Sequence, residues 1–138
     1  MPKTVRFGVS LDGELLARFD RRIRRDGYGN RSEAIRDLIR ASLVEEEWGE
    51  GEEVVGAITL VYDHHVRELT ERLVEIQHRH AAEIISVLHV HLDPDHCMET
   101  LVVRSAAERA RRLAVSLRAL RGVKHVTLAA TTSARNLP

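Results

Sequence analysis

Residues 4–11 read Thr-Val-Arg-Phe-Gly-Val-Ser-Leu, and their strict alternation decides how the first part of this chain folds. Val5, Phe7, Val9 and Leu11 share one face of a predicted β-strand, and the residues between them share the other face. The two blocks that follow have helical periodicity, so no second strand lies nearby. A lone strand leaves both edges unpaired, and we therefore predict that it pairs with the same strand of another copy.

Two helices are predicted after this strand. Asp12 is a suitable N-cap for the first helix, which ends before Gly27. Asn30 and Glu33 form a capping-box pattern that opens the second helix. A strand and two helices in about forty residues bury too little apolar surface to be stable alone, so the pattern predicts a dimeric βαα unit.

Charge is distributed unevenly along the chain, although the formal net charge is zero. Residues 1–43 carry ten Lys/Arg against six Asp/Glu, and residues 44–53 carry six Glu and no basic residue. A basic segment followed by an acidic, glycine-containing run is typical of a DNA-binding unit and a solvated linker. We therefore predict a DNA-binding domain over residues 1–46, an acidic hinge over 47–53 and a second domain over 54–138.

The polar face of a paired β-ribbon fits the major groove of DNA. Arg6 and Ser10 are predicted to point to base edges, with Gly8 on the same face. Asn30 and Arg31, at the start of the second helix, are candidates for contacts with DNA phosphates. The alternative is that these side chains lie on a solvated surface.

The second domain has the order strand, helix, strand, strand, helix, strand. Residues 54–62 are apolar and β-prone, Ile84 to Leu92 alternates, and Asp93-Pro94-Asp95 is a turn sequence that joins this strand to the next. A long helix follows from Ala106, and a last strand begins at Val123. This βαββαβ order predicts a ferredoxin-like, ACT-like domain, so the whole chain belongs to the α+β class.

Three candidate metal ligands lie around the predicted turn. His89 and His91 are two residues apart on a strand and project from one face, and the hairpin returns Cys97 to the same place. Two imidazoles and a thiolate suit Ni(II), Cu(II) or Zn(II). The alternatives are exposed histidines and a small buried cysteine. A nucleophilic Cys/His site would need an orienting acid, and the sequence offers none, so we predict no enzyme activity.

Two resemblances cover nearly the whole chain. Residues 30–37, Asn-Arg-Ser-Glu-Ala-Ile-Arg-Asp, resemble those of ribbon-helix-helix repressors, and His89-Val-His91 and Cys97-Met-Glu99, preceded by Gln77-His78, resemble those of NikR, the nickel-responsive repressors. The second resemblance implies one Ni(II) per subunit, bound by His89, His91 and Cys97, with His78 of a neighbouring subunit completing a square plane. It also implies auxiliary roles for Tyr62 and His64 and a cation site at Glu33 and Asp37.

The same resemblance implies a homotetramer that binds a double-stranded DNA operator with two half-sites and represses nickel uptake when nickel is bound. Two departures from the family's usual pattern are Gly8, where a hydroxyl residue is common, and Leu60, where an aromatic residue is common. One alternative is a DNA-binding protein with a structural zinc ion and a different effector. A third model, an enzyme that uses the metal as a Lewis acid, requires an open coordination position, which four protein ligands would close.

Composition narrows the location of the protein. The sequence contains no stretch that resembles a bilayer-spanning helix or a signal peptide, so no membrane association is predicted. The single cysteine cannot form a disulfide within one chain, which favours a reducing cytoplasm.

Overall fold

The computed structural model describes residues 3–138. They divide into two compact units: the N-terminal unit extends to Leu43 and includes Asn136–Pro138, and the C-terminal unit is Val44–Arg135. In the described residues, every helix is too short or too polar to cross a bilayer.

The N-terminal unit contains two helices, α1 (Gly13–Arg25) and the first turns of α2 (Arg31–Glu50). Both helices begin where the sequence predicted them. Asp12 caps α1, because its Oδ1 accepts hydrogen bonds from the N–H groups of Glu14 (2.9 Å) and Leu15 (3.3 Å). Asn30 caps α2 in the same way, accepting from the Glu33 N–H at 2.9 Å. Asp12 and Asn30 are therefore confirmed as caps. The capping box is confirmed only in part, because the Glu33 carboxylate accepts from the Gly29 N–H and not from the Asn30 N–H.

The predicted strand over residues 4–11 does not form in the single chain, which corrects that expectation at the level of one copy. This segment has no regular secondary structure, and Val5 and Phe7 are 79% and 67% exposed. The physical reason is that a β-strand is stabilised by hydrogen bonds to a neighbouring strand, and the other elements of this unit are helices.

Helix α2 continues through most of the acidic run and ends only at Glu50. The first four residues of the predicted hinge 47–53 are thus helical, and Trp48 within them is 4% exposed. The boundary between the compact units lies earlier than the predicted end of the first domain at residue 46.

The C-terminal unit contains four strands and two further helices. These are β1 (Glu53–Asp63), α3 (Leu69–Arg79), β2 (Ile84–His91), β3 (His96–Ala106), α4 (Ala107–Arg118) and β4 (Val123–Thr131). The sheet order is β2-β3-β1-β4, and every neighbouring pair is antiparallel. The predicted βαββαβ order and ferredoxin-like arrangement are therefore confirmed.

One face of this sheet carries the core. Alternate residues of β1, from Val54 to Tyr62, are buried together with Leu101 and Val103 of β3. Helix α4 contributes Ala110, Leu113 and Leu117 to the same cluster, and α3 contributes Leu69, Leu73 and Ile76.

Gly122 closes the turn before β4 with a φ of +99°, and a Cβ there would lie 2.8 Å from side-chain atoms of Val66 and Leu69. The turn therefore requires glycine.

Candidate metal centre

The sheet register brings the predicted ligands together. His91 on β2 pairs with Cys97 on β3, and Cys97 in turn pairs with Tyr62 on β1, so these three residues form one row across the sheet. His89 pairs with Glu99 two positions further along the same hairpin. Because side chains alternate between faces, His89, His91 and Cys97 project from the same face as the buried core.

The three donors converge within one chain. One ligand atom from each of His89, His91 and Cys97 lies within 4.8 Å of the other two. The Cys97 Sγ is 3.3 Å from His91 Nδ1, and the two imidazole ring centres are 5.0 Å apart. Two nitrogens and one sulfur at this spacing fit a borderline-soft divalent ion such as Ni(II), Cu(II) or Zn(II), and they do not fit Mg²⁺ or Ca²⁺.

The site is buried on one side and open on the other. Cys97 is 1% exposed on the inner strand β3, whereas the His89 side chain on the edge strand β2 is 41% exposed. Burial raises the pKa of the Cys97 thiol, and the charges of Glu99 and Asp93 raise it further. The thiol therefore holds its proton in the metal-free chain, and metal binding has to displace that proton.

Glu99 and Tyr62 orient His89. The His89 Nδ1 lies 3.3 Å from Glu99 Oε1 and 3.4 Å from the Tyr62 hydroxyl, and Gln77 Nε2 donates to the other Glu99 oxygen at 3.5 Å. Burial, followed by the charge of Glu99, raises the pKa of Tyr62, which keeps its hydroxyl protonated. A carboxylate on the second nitrogen of a ligand histidine fixes its ring and raises its basicity.

Neither Glu99 nor Gln77 was predicted to be a site residue, although both lie in the motif that resembles the family. The alternation of β3 was the available signal, because it places Glu99 on the same face as Cys97. Leu60, which departs from the family pattern, is fully buried and pairs with Glu99 in the sheet.

His78 and His64 lie outside the three-donor cluster. His78 is exposed in the last turn of α3 and is not among the converging donors of the described chain. The His64 Nε2 contacts the Pro94 carbonyl oxygen at 2.6 Å, and its ring centre is 6.3 Å from that of His91. One chain therefore supplies three converging donors, with His64 nearby.

The predicted DNA-contacting residues fall into two groups. Arg6, Gly8 and Ser10 lie in the exposed segment before α1. Asn30 uses its side chain as the α2 cap, and the Arg31 guanidinium donates to both Asp20 carboxylate oxygens at 2.9 and 2.8 Å. In this chain Arg31 therefore connects α2 to α1. Arg6, Gly8 and Ser10 in the N-terminal segment are exposed to solvent.

Glu33 and Asp37, the predicted cation ligands, each have a partner inside the N-terminal unit. The Glu33 carboxylate accepts from the Gly29 N–H at 3.4 Å. Asp37 accepts a hydrogen bond from the Tyr28 hydroxyl at 2.8 Å, and it lies 3.6 Å from Arg40. These two carboxylates do not belong to a three-donor cluster in the described residues.

Comparison with known proteins agrees with both units. Residues 55–131 match the family described as "NikR C terminal nickel binding domain", and residues 5–46 match "Ribbon-helix-helix protein, copG family". The fold and the site thus define a ribbon-helix-helix transcription regulator with a C-terminal metal-binding domain. More particularly, the chain belongs to the NikR family of nickel-responsive regulators.

Relatives of full length support this assignment. A protein of Geobacter sp. strain M21 is 57% identical, one of Geobacter metallireducens is 55% identical and one of Desulfovibrio desulfuricans is 53% identical, each over 99% of both chains. Each bears the name "Putative nickel-responsive regulator". The solved structure of an uncharacterized protein from Thermotoga maritima matches 59% of this chain and 100% of its own, with a TM-score of 0.54 at 16% identity. That match concerns the fold alone.

Proposed function

We propose that this protein is a regulator, not an enzyme, that binds Ni(II) and then binds an operator in double-stranded DNA. The observation that carries the proposal is the convergence of His89, His91 and Cys97 within a domain that matches the nickel-binding domain of the family. Nitrogen and thiolate donors bind late first-row divalent ions strongly, so the choice among those ions depends on the geometry of the complete site.

In this proposal each subunit binds one Ni(II), and the fourth donor is His78 of another copy. The exposed position of His78 at the end of α3 supports this role, because its imidazole is available to another chain. When bound, the ion would tie the β2–β3 hairpin of one copy to α3 of its neighbour. Tyr62 and Glu99 would hold the His89 ring in place, and His64 would serve as an auxiliary ligand close to the site.

The assembly we propose is a homotetramer in which pairs of N-terminal segments form β-ribbons. The exposed apolar side chains of residues 5, 7, 9 and 11 support this pairing, because burying them requires a second copy. Two ribbons would contact two half-sites, with Arg6 and Ser10 at base edges, Gly8 beside them, and Asn30 and Arg31 near phosphates.

The expected regulatory output is repression of nickel uptake genes in the cytoplasm, where the operator is found. The proposal also includes a cation site at Glu33 and Asp37.

The first test is a titration of the metal-free protein with Ni(II) and with Zn(II), followed by the thiolate-to-metal absorption. Wild type should give a Ni(II) absorption that Cys97→Ala abolishes and His78→Ala weakens. His125→Ala is the matched control, because His125 is an exposed histidine on β4 outside the donor cluster. Tight binding of Zn(II) alone would favour the structural-zinc alternative.

The second test concerns DNA. Nickel-loaded protein is used to select duplexes from a random-sequence pool, and the affinity for the enriched sequence is then measured with and without Ni(II). The proposal expects a gain of roughly 5- to 150-fold in affinity on adding Ni(II), the usual range of coupling between two sites. Equal affinities would exclude nickel as the effector.

A further inference from the structure

Trp48 is the chain's single tryptophan, and it lies in an unusual place. Its neighbours in sequence are the glutamates of the acidic run and two glycines, which are typical of a solvated linker. The side chain is nevertheless 4% exposed and forms part of the core cluster of the C-terminal unit. Residues from Val44 onward belong to that unit, so this packing lies within it.

Three elements of the C-terminal unit hold the indole. Its Nε1–H donates to the Thr131 carbonyl oxygen at the end of β4, at 2.8 Å. Gly56 of β1 forms the floor of the site, because a Cβ there would lie 3.2 Å from Trp48 Cη2. The Arg111 guanidinium of α4 lies over the ring, 5.4 Å from its centre. We call these four residues, Trp48, Gly56, Arg111 and Thr131, the Trp48 anchor.

Arg111 also satisfies the end of helix α2. Its Nη1 donates to the Trp48 carbonyl oxygen at 3.0 Å. The last carbonyl groups of a helix have no partner within the helix, and a cation near them is stabilising because of the helix dipole. The final turn of α2 contains no basic residue of its own, so α4 supplies the cation that this turn lacks.

The Trp48 anchor and the metal centre share strand β1. Gly56 and Tyr62 are six residues apart on the same buried face of that strand, and the Tyr62 hydroxyl lies 3.4 Å from His89 Nδ1. One continuous strand therefore contacts the indole near one end and a metal ligand near the other.

We infer that the Trp48 anchor fixes the last turn of α2 to the metal-binding sheet, and that this attachment is required for Ni(II) to change DNA affinity. Helix α2 begins in the N-terminal unit and ends in the C-terminal one. While the Trp48 side chain is buried in the C-terminal unit, a structural change in the sheet is transmitted directly to the last turn of α2. Any flexible hinge in the chain then has to lie before Trp48. With Trp48 released, the acidic run becomes the flexible linker that its composition suggests, and the coupling is lost. This inference rests on the proposed nickel response.

The burial of the Trp48 side chain is tested first, without metal or DNA. Wild-type Trp48 should show blue-shifted emission and slow quenching by acrylamide, as a buried indole does. Arg111→Gln should shift the emission to the red. Digestion with a protease that cleaves after glutamate should cut the acidic run at least about tenfold faster in Trp48→Ala than in wild type, because cleavage requires local opening. Val115→Ala, which truncates an exposed apolar side chain of α4, should digest like wild type.

The coupling is tested on the full-length protein with the selected operator. Trp48→Ala should keep the nickel absorption of wild type but lose most of the nickel-dependent gain in DNA affinity, so that its affinities with and without Ni(II) differ by less than about twofold. Trp48→Phe should lie between wild type and Trp48→Ala. If Trp48→Ala loses the nickel absorption and is unfolded, Trp48→Phe and Arg111→Gln take its place. For each of them, the DNA affinity with Ni(II) is compared with the affinity without Ni(II).

The outcomes separate the two proposals. If wild type itself shows no nickel-dependent gain, the proposed function is wrong, and the inferred role of the anchor in coupling is overturned with it, while emission and digestion still report whether Trp48 is seated. If wild type responds to nickel and the folded Trp48 variants keep the full gain, the anchor is not required and our inference is overturned. Exposed-type emission from wild-type Trp48 would also overturn it.

Discussion

The two units of the chain differ in how much of their apolar surface the chain itself covers. Within residues 3–43, only Ile23 and Ala34 are buried, and Val5, Phe7, Val9, Leu38 and Ile39 are exposed. The C-terminal unit instead buries a continuous cluster that extends from Trp48 to Val126. The N-terminal unit is therefore incomplete as a single copy, whereas the C-terminal unit has its own core. In our proposal the DNA-contacting unit depends on association with a second copy, whereas the unit with the candidate metal donors has a core within one chain.

The largest effect is expected from Val9→Asp. A carboxylate on the apolar face of the segment would be buried and unpaired in a ribbon of two copies, at a cost of several kcal/mol. We expect at least a ~100-fold loss of DNA affinity, measured by electrophoretic mobility shift, with unchanged nickel absorption. Val9→Ile, which keeps an uncharged apolar side chain at the same position, is the control and should bind DNA like wild type. Normal DNA binding by Val9→Asp would mean that this face is not an interface.

Leu101→Ala in the C-terminal core tests the other unit, where we expect a loss of stability within the single chain. Leu101 is fully buried on β3, and truncating such a side chain costs about 2–5 kcal/mol in the free energy of unfolding. Chemical denaturation followed by circular dichroism measures this cost. The contrast between the units predicts that Val115→Ala, on the exposed side of α4, changes the free energy by less than about 0.5 kcal/mol. Equal costs for the two variants would contradict the assigned core.

A smaller effect is expected from Gly122→Ala. The new methyl group would meet Val66 and Leu69 at 2.8 Å on a backbone with φ +99°, so we expect a loss of about 1–3 kcal/mol. Gly49→Ala is the matched control in the same unit, because Gly49 lies in α2 with open space around it. That control should gain up to ~1 kcal/mol from helix propensity, and thermal denaturation of both variants compares the signs.

The smallest effect concerns the exposed pair Asp20–Arg31 of the N-terminal unit. The hydrogen bond from Arg31 lowers the pKa of Asp20 from its ordinary value of 3.8. Its stabilising contribution is therefore present above that value and lost as the pH falls through the lower folded-state pKa. Asp20→Asn should melt slightly below wild type at neutral pH, and the difference should disappear in acid. A difference that persists in acid would point to a cause other than the charge.

Local signals in the sequence were sufficient for most elements of the fold. The alternation of Ile84 to Leu92 and the caps Asp12 and Asn30 depend only on neighbouring residues, and the donors His89, His91 and Cys97 are joined by one short turn. Contacts between distant residues have no such signal. Trp48 bonds to Thr131, 83 positions away, so an acidic run that reads as a linker contains a buried anchor.

The missing strand has a different cause. The alternation of residues 4–11 predicts which side chains share a face, but a strand forms only with a partner strand, and in our proposal that partner is another molecule. The same limit applies to His78, whose proposed role also involves a second copy. Sequence periodicity describes one chain, and these two features depend on how chains associate.

The arrangement of three donors in one chain and His78 outside their cluster has a consequence for measured affinities. Bringing His89, His91 and Cys97 together is intramolecular and independent of dilution, whereas recruiting the proposed fourth donor, His78 of another copy, follows mass action. Apparent nickel affinity should then rise with the concentration of the regulator itself until the assembly is complete. A cell with few copies of the protein and a cell with many copies would therefore respond to different levels of the same ion.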